Sequence, residues 1–435
     1  MAISPFEERY RTKMNDIFED EAKIRKWMAV EVALSKAHAA LGNIPKDAPS
    51  KIEQGASKVK LERVLEIESE IHHDLMAMVK ALSEQSGDAG KYVHLGSTSY
   101  DIEDTATALI FMEAIDLLQE DLQTLAATLK RLAKENKKRV CIGRTHGQHA
   151  VPTTYGMKFA LYYQEVRRSL ERLNEARKRI AVGKMSGAVG TMATFGKQGP
   201  QIQELVMKEL SLEPAKVTNQ VIQRDRHAEV ICCLALVAAA VEKVAKEIRN
   251  LQRTEILEIS ESFGKKQVGS STMPHKRNPH KSERLCSLAR IVRANVITAI
   301  ENIPLEHERD LTNSANERAI FGESFVCTDY IVLELDKILN NLQFSDENIR
   351  RNLELTKGLI MAERLMIALT EKGMGRQEAH ELVRTVAQEA FSSNRHLKEL
   401  VIEKKILDEK DADRIFDYST YVGNAENIVE EATKD

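Results

Sequence analysis

The sequence predicts an all-α protein organised around a bundle of long helices. Glycine and proline, which interrupt helices, number only 20 and 9 in 435 residues. Apolar residues recur at alternating spacings of four and three, a pattern that places one apolar seam along a helix. The stretch 223–262 contains neither glycine nor proline, and a helix over it would be about 60 Å long at 1.5 Å per residue. We therefore expect an elongated bundle that is shared with other subunits.

Three apolar seams define the predicted long helices. The first consists of Phe111, Ile115, Leu118, Leu122, Leu125, Leu129 and Leu132. The second consists of Val230, Leu234, Val237, Val241, Val244, Ile248 and Leu251. A third helix is predicted from Thr154 to about Ile180, with Phe159, Tyr162, Val166, Leu170, Leu173 and Ile180 facing inward. These helices predict three domains: an N-terminal helical domain at 1–104, a central long-helix bundle at 105–347 and a C-terminal helical domain at 348–435.

Composition excludes several classes of protein. The formal net charge is −3, from 63 basic and 66 acidic residues, which gives no electrostatic reason to expect nucleic acid or a membrane surface as a partner. The five cysteines have no CxxC spacing, so neither a zinc site nor a disulfide framework is predicted and a cytoplasmic location is expected. No signal peptide is expected, because the N-terminal MAISPFEERYR has charges where such a peptide needs an apolar stretch. The sequence contains no run of about 18 apolar residues.

The stretch GSSTMPHKRNP at 269–279 is the first candidate site, because it is almost devoid of apolar residues between two predicted helices. Ser270 and Ser271 offer hydroxyls, Lys276 a positive charge and Asn278 an amide, a set that suits an anion. The composition alone is equally compatible with an ordinary connector between helices.

A second polar cluster, YVHLGSTSYDIEDT at 92–105, gathers His94, Thr98, Ser99 and Asp101 before the first long helix. Helix capping would explain the aspartate, but not the histidine and the Thr-Ser pair together. A third cluster, GRTHGQHAVPTTYG at 143–156, contains His146 in a polar break between two predicted long helices. An isolated histidine is more often structural, although packing has little to offer in such a break.

The fourth cluster is EIHHDLMAM at 70–78. A metal site at His72, His73 and Asp74 is one interpretation, but adjacent histidines on a helix point about 100° apart and are poorly placed to share an ion. The pair Arg9-Tyr10 lies near the N-terminus. Further candidates are Gln220, Arg284, Arg309, Ser314 and Arg318, of which each arginine alone would suit an ordinary surface ion pair. The glycine-rich GKMSGAVGTMATFG at 183–196 lacks the preceding strand of a dinucleotide-binding motif and is interpreted as a turn.

The loop sequence GSSTMPHKRNP resembles the GSSxMPxKxNP signature of the fumarase/aspartase superfamily at every specified position. The segments around Thr98-Ser99, His146 and His72-His73-Asp74 are similar to further motifs of the superfamily, the last to its adenylosuccinate lyase branch. The resemblance covers about residues 1–350. It implies an all-helical fold with a central bundle built from four subunits, and β-elimination of fumarate from succinyl-containing substrates.

The resemblance also implies roles for the candidate residues. Ser270 would be the general base and His146 the general acid. Ser271, Lys276, Asn278, Thr98 and Ser99 would hold substrate carboxylates, and the nucleotide would be held by Arg9, Tyr10, Arg309, Ser314 and Arg318. His72, His73, Asp74, Gln220 and Arg284 complete the predicted substrate-binding set. No metal or other cofactor is expected.

The expected reaction is cleavage of adenylosuccinate to AMP and fumarate in purine biosynthesis, together with cleavage of the succinylated aminoimidazole carboxamide ribotide. Argininosuccinate lyase is the nearest alternative enzyme, although its substrate carries no phosphate for Arg9-Tyr10 to bind. A non-catalytic helical scaffold is an alternative of another class, and it would be expected to have lost Ser270 or His146.

Overall fold

The computed structural model describes residues 4–264 and 270–434, and helices dominate them. The helices are α1 Met14–Phe18, α2 Asp20–Ala40, α3 Ala48–Ala56, α4 Leu61–Ile71, α5 Asp74–Gln85, α6 Ser99–Glu135, α7 Tyr155–Ile180, α8 Gly199–Leu210, α9 Asp225–Leu251, α10 His280–Glu301, α11 Ser314–Asn340, α12 Asp346–Glu354, α13 Ala362–Glu371, α14 Arg376–Ser393, α15 Leu397–Glu403, α16 Glu409–Ile415 and α17 Ala425–Ala432. Short 3-10 helices lie at Gly87–Tyr92, Gly196–Gln198, Leu359–Met361 and Tyr418–Thr420. The predicted all-α class is confirmed.

Six short strands accompany the helices: β1 Val140–Thr145, β2 Gln148–Thr154, β3 Val182–Gly183, β4 Glu213–Pro214, β5 Ile259–Ser260 and β6 Gln343–Phe344. They form three two-stranded sheets. The β1–β2 and β5–β6 pairs are antiparallel, whereas β3 and β4 are parallel. The strands therefore pair short segments between helices and do not form a separate layer.

The chain divides into two compact units. Unit 1 comprises Met1–Gln123, Ser169–Ala239 and Ser287–Leu333, and unit 2 comprises Thr124–Arg168, Ala240–Cys286 and Glu334–Asp435. Each unit thus draws on three separate segments of the sequence. The division into domains at 1–104, 105–347 and 348–435 stays a prediction.

The predicted seams are the buried faces of α6, α7 and α9. Every residue of the first two seams is at most 5% exposed. In the third seam Leu170 is half-buried and the other five residues are buried. Burial of one apolar stripe per helix supplies the main stabilising term for these long elements, since isolated helices are marginally stable in water.

The second long helix is shorter than predicted. The absence of glycine and proline suggested continuity to Ser262, but α9 ends at Leu251, which makes it about 40 Å long. Leu257 then takes the left-handed conformation, with φ of 46°. The next residue, Glu258, is fully buried and accepts hydrogen bonds from Arg144, Tyr155 and Asn352. The chain leaves the helix because this buried carboxylate is held by partners that are distant in sequence.

The helices after Asp346 are short, between 7 and 18 residues, as expected for that part of the chain. Among the described residues, no helix combines the length and apolar character needed to cross a membrane.

Candidate active site

A buried ion pair fixes the segment that leads into α6. Asp101 accepts a hydrogen bond from Lys184 Nζ at 2.5 Å, and both side chains are fully buried. The same carboxylate accepts from the backbone N–H groups of Thr98 at 2.9 Å, Ser186 at 2.8 Å and Gly187 at 3.1 Å. Asp101 therefore caps the helix, as its position suggested, and also fixes the segment to a distant loop.

Thr98 and Ser99 lie beside this ion pair in the sequence, and both are half-buried. No described residue forms a hydrogen bond with either hydroxyl. Ser99 begins α6, where the N–H groups of the first turn and the helix dipole favour an anion. Both hydroxyls are available to a ligand in the way that a carboxylate-binding pair requires.

His94 lies in the same segment and is held by Glu31, a residue that no sequence motif selected. Glu31 is buried, and its carboxylate accepts from the His94 backbone N–H at 2.9 Å and lies 2.6 Å from ring Nδ1. Burial lowers the pKa of His94, but the hydrogen bond and charge of Glu31 outweigh it, so the net shift is upward. Glu31 therefore fixes the orientation of the His94 ring and favours its protonated form.

The three residues of the HHD segment take different positions. His72 is exposed and ends α4 in the left-handed conformation, with φ of 53°. His73 caps α5 by accepting from the Met76 N–H at 3.4 Å. Asp74 pairs with Arg318 Nη2 at 2.6 Å. Two predicted substrate-binding residues thus contact each other, and the carboxylate orients the guanidinium.

A cavity of about 340 Å³ in unit 1 is lined by two of the candidate residues, Ser314 and Arg318. Tyr100, Glu103, Ser314 and Arg318 are among its walls, and Ser314 is the first residue of α11. Burial raises the pKa of Glu103 to about 8, and the nearby carboxylates of Asp74 and Asp104 add to the shift. Glu103 is therefore neutral at pH 7, which lowers the negative charge that an anion in the cavity would face.

Arg309 is stacked on Tyr100, with the guanidinium carbon 3.6 Å from the ring centroid. Its Nε donates to the carbonyl of Asp310 at 2.5 Å. Both terminal nitrogens are buried and donate no well-formed hydrogen bond within the described residues. Because a buried guanidinium without acceptors is costly, these two donors indicate a place for a ligand anion.

The segment that carries Gln220 is held by a second buried ionic network. Gln220 donates its backbone N–H to the carbonyl of Glu308 at 3.2 Å and its amide to the carbonyl of Ala188 at 3.0 Å. Nearby, Arg224 donates to both oxygens of Asp104 at 2.9 Å and to Glu317 at 2.8 Å. This buried arginine joins α6, α9 and α11 but was not selected from the sequence, because its partners lie about 90 residues or more away.

Tyr10 packs in an aromatic group, with ring centroids 5.8 Å from Phe6 and 5.0 Å from Tyr330. Arg9 is exposed, and its guanidinium carbon is 5.9 Å from the Tyr10 ring. The N-terminal pair therefore combines an anchored tyrosine with an arginine that faces solvent in the single chain.

In unit 2, His146 sits at the tip of the β1–β2 hairpin and not in a simple break between helices. His146 and Gly147 form the two-residue turn between the paired residues Thr145 and Gln148, with φ of 53° and 75°. Positive φ at both positions is characteristic of the tight turns that join antiparallel strands. The turn presents the imidazole to solvent, with no partner among the described residues.

The hairpin is braced by the buried carboxylate of Glu258. Arg144 and Tyr155 each donate to it at 2.5 Å, and Asn352 donates at 2.8 Å. Burial and the negative charge of Glu258 raise the pKa of Tyr155, so its hydroxyl keeps the proton that it donates. The hairpin that carries the exposed His146 is therefore held in place by three hydrogen bonds to one buried carboxylate.

The signature loop lies in the same unit. Ser270 Oγ accepts from the backbone N–H groups of Met273 at 3.1 Å and Thr272 at 3.4 Å. Ser271 is exposed and contacts the Thr272 hydroxyl at 3.5 Å. Gly269, the first residue of the motif, lies outside the described residues. Residues 270–279 contain neither helix nor strand, as predicted.

Lys276 and Asn278 line a large cavity of about 1330 Å³ together with His275 and Glu283. Glu283 was not selected from the sequence, where an acid in the first turn of α10 resembles an ordinary helix-start residue. Arg284 follows it in α10 and is half-buried.

A buried contact joins two residues on either side of the motif in the sequence. The Glu261 carboxylate accepts from both the N–H and the hydroxyl of Ser282 at 2.6 Å. This contact holds the described residues that flank the motif close together.

The candidate residues divide between the two units. Unit 1 contains Arg9, Tyr10, His72, His73, Asp74, Thr98, Ser99, Gln220, Arg309, Ser314 and Arg318. Unit 2 contains His146, Ser270, Ser271, Lys276, Asn278 and Arg284. Residues that are able to donate hydrogen bonds to an anion occur in both units. The serine and the histidine assigned to proton transfer both lie in unit 2.

The fold and the similarity to known proteins define a helical lyase. The model of a family described as "Lyase" matches residues 8–294, and one described as "Adenylosuccinate lyase C-terminus" matches residues 358–432. Similar solved structures include a fumarate lyase from Mesorhizobium, with a TM-score of 0.89 and 31% identity over 97% of each chain. Another is a 3-carboxy-cis,cis-muconate lactonizing enzyme from Pseudomonas putida, with a TM-score of 0.90 and 31% identity over 98% of each chain.

Within that class the chain belongs to the adenylosuccinate lyase family. Adenylosuccinate lyase of Pyrococcus abyssi is 56% identical over 99% of this chain and 97% of the relative. The enzyme of Methanocaldococcus jannaschii is 50% identical over 100% and 96%, and that of Bacillus subtilis 42% identical over 97% and 98%. The similarity thus extends through the C-terminal helices, where the sequence motifs alone showed only helical character.

Proposed function

We propose that this protein cleaves adenylosuccinate to AMP and fumarate, and cleaves the succinylated aminoimidazole carboxamide ribotide in the same way. The observation that carries the proposal is Arg309, whose two terminal nitrogens are buried and donate no well-formed hydrogen bond within the described residues. Ser314 at the start of α11 and Arg318 add donors and positive charge. This set suits a phosphate monoester, because guanidinium donors and helix N-termini both bind phosphate oxygens. Argininosuccinate has no phosphate and would leave these donors unpaired.

The elimination requires a base at the succinyl carbon β to the leaving nitrogen. We assign this role to Ser270. A serine hydroxyl is a weak base until its alkoxide is stabilised, and the N–H groups of Thr272 and Met273 already point at Ser270 Oγ. The positive charge of Lys276 further favours the alkoxide. These groups support the assignment, because hydrogen-bond donors and positive charge directed at an oxyanion stabilise it.

The carbanion and the leaving nitrogen need two further groups. Negative charge that moves into the adjacent carboxylate would be stabilised by Ser271, Lys276 and Asn278 and by the free hydroxyls of Thr98 and Ser99. His146 would donate a proton to the leaving nitrogen, a role for which an imidazole is suited near neutral pH. The remaining predicted contacts to substrate are Arg9, Tyr10, His72, His73, Asp74, Gln220 and Arg284.

The proposal includes a homotetramer whose active sites combine residues of different subunits. Exposed apolar residues on the long helices support an oligomer, because such residues are normally buried in a partner contact when they recur along a helix. Leu161, Leu236, Ile297 and Ile300 are between 48% and 69% exposed in the single chain. A cytoplasmic location is also part of the proposal, supported by five cysteines that are all free.

The test is an absorbance assay of fumarate release by the purified protein, with adenylosuccinate and argininosuccinate as competing candidates. The expected result is fumarate from adenylosuccinate alone. Release from argininosuccinate but not from adenylosuccinate would contradict the proposal. Release from neither substrate would favour the scaffold interpretation.

A further inference from the structure

Tyr100 is the second residue of α6 and one of the walls of the 340 Å³ cavity. Neither its residue type nor its position was selected from the sequence. We propose that Tyr100 is a positioning residue that holds Arg309 and Ser314 as the two arms of a phosphate receptor. The inference rests on the proposed function, since it specifies how that function's nucleotide phosphate is bound.

The first arm is the stacked guanidinium. A separation of 3.6 Å between the guanidinium carbon and the ring centroid is direct contact, and it is much shorter than the 5.1–5.9 Å of most other cation–aromatic pairs in the protein. The ring therefore supports one face of Arg309, while Asp310 accepts from Nε. The two terminal nitrogens are left as donors whose direction is set by the ring, and a phosphate can accept from both.

The second arm is Ser314. The Tyr100 hydroxyl donates towards Ser314 Oγ at 3.5 Å. Burial is the main cause that raises the pKa of Tyr100, so the phenol remains protonated at neutral pH. One aromatic side chain thus contacts both predicted phosphate ligands, and it directly follows Ser99, which is assigned to a carboxylate. Tyr100 would fix the spacing between the phosphate end and the succinyl end of the substrate.

The inference predicts that the ring matters more than the hydroxyl. Isothermal titration of AMP should give an affinity within about threefold of wild type for Tyr100→Phe, because the 3.5 Å hydrogen bond is weak. Tyr100→Leu removes the aromatic face and should weaken AMP binding by about 5- to 30-fold, the range of a partly desolvated cation–aromatic contact. Fumarate and adenosine affinities, which do not involve the phosphate, should change little.

A double variant tests whether Tyr100 acts through Arg309 or only contributes to the packing of the protein. In an Arg309→Gln background, Tyr100→Leu should weaken AMP binding by no more than the roughly threefold expected from loss of the contact with Ser314. Tyr421→Leu is the matched control, because Arg364 lies 5.3 Å from that ring and neither residue belongs to the proposed site. Circular dichroism checks folding, and Tyr100→Met replaces the leucine variant if that variant does not fold.

Unchanged AMP affinity in Tyr100→Leu would overturn the inference, and so would losses from Tyr100→Leu and Arg309→Gln that simply add. The same titrations with inorganic phosphate distinguish this failure from failure of the proposed function. Phosphate binding that depends on Tyr100, in a protein that does not bind AMP, would leave the inference standing and contradict the nucleotide substrate. Binding of neither AMP nor phosphate to the wild type would overturn both.

Discussion

Replacing Lys184 by methionine should destabilise unit 1 strongly, because it leaves the fully buried Asp101 without a counter-charge. Lys184 and Asp101 are both 0% exposed, and their side chains meet at 2.5 Å. Methionine keeps most of the apolar volume of lysine, so a large cavity is not created. The remaining loss is that of a buried ion pair with one partner removed, for which about 3–5 kcal/mol is typical.

The backbone donors decide where within that range the result should fall. Asp101 retains the N–H groups of Thr98, Ser186 and Gly187 in the variant. These three donors stabilise a carboxylate, so we expect the lower half of the range, about 3–4 kcal/mol.

Urea unfolding followed by tryptophan fluorescence measures this change directly. Trp27 is the only tryptophan, is 5% exposed and belongs to the same buried cluster as Ile102 and Met185. Variant and wild type are compared at equal subunit concentration, because unfolding of an oligomer depends on concentration. The matched control is Lys178→Met, whose partner Glu175 is exposed and whose effect on stability should be small, because exposed ion pairs contribute little. A loss below about 1 kcal/mol for Lys184→Met, with an unchanged dependence on urea, would refute the reasoning.

Three further predictions concern Glu103 and the proposed catalytic residues. Because the pKa of Glu103 is raised to about 8, AMP affinity measured by titration should fall by roughly tenfold between pH 7 and pH 9 as this group becomes charged, and Glu103→Gln should remove most of that fall; an equal fall in both proteins would contradict the assignment. The raised pKa of Glu103 also means that the folded protein binds this proton more tightly than the unfolded chain does. The free energy of unfolding should therefore fall as pH rises from about 4.5 to 8. Urea unfolding of Glu103→Gln should lack this pH-dependent fall. If active sites are shared between subunits, co-refolding inactive His146→Ala with inactive Ser270→Ala should restore partial fumarate release; verified mixed oligomers that stay inactive would exclude sharing.

The long helices could be predicted from the sequence because their signal is local and repeated. The seams that begin at Phe111 and Val230 are buried as the four-three spacing indicated. The end of α9 could not be predicted in the same way. It depends on Glu258, and the groups that hold this carboxylate, Arg144, Tyr155 and Asn352, lie about 90 residues or more away.

The site shows the same limit. Motifs selected Thr98, His146 and Ser270 because their residue types are unusual between helices. They could not select Glu31 or Lys184, which lie within or beside regular packing and act through His94 and Asp101. Motif similarity therefore selected the residues that we propose face the substrate, whereas the residues that orient them could be identified only from the structure.

The most direct test of the central claim is the rate of fumarate release from adenylosuccinate by Ser270→Ala, with Ser271→Ala as the matched neighbour. Loss of a general base typically costs a factor of about 10²–10⁴. We predict a loss of at least about 100-fold for Ser270→Ala with AMP binding intact, and a smaller loss for Ser271→Ala. Turnover by Ser270→Ala close to that of the wild type would contradict the claim that this serine removes the proton.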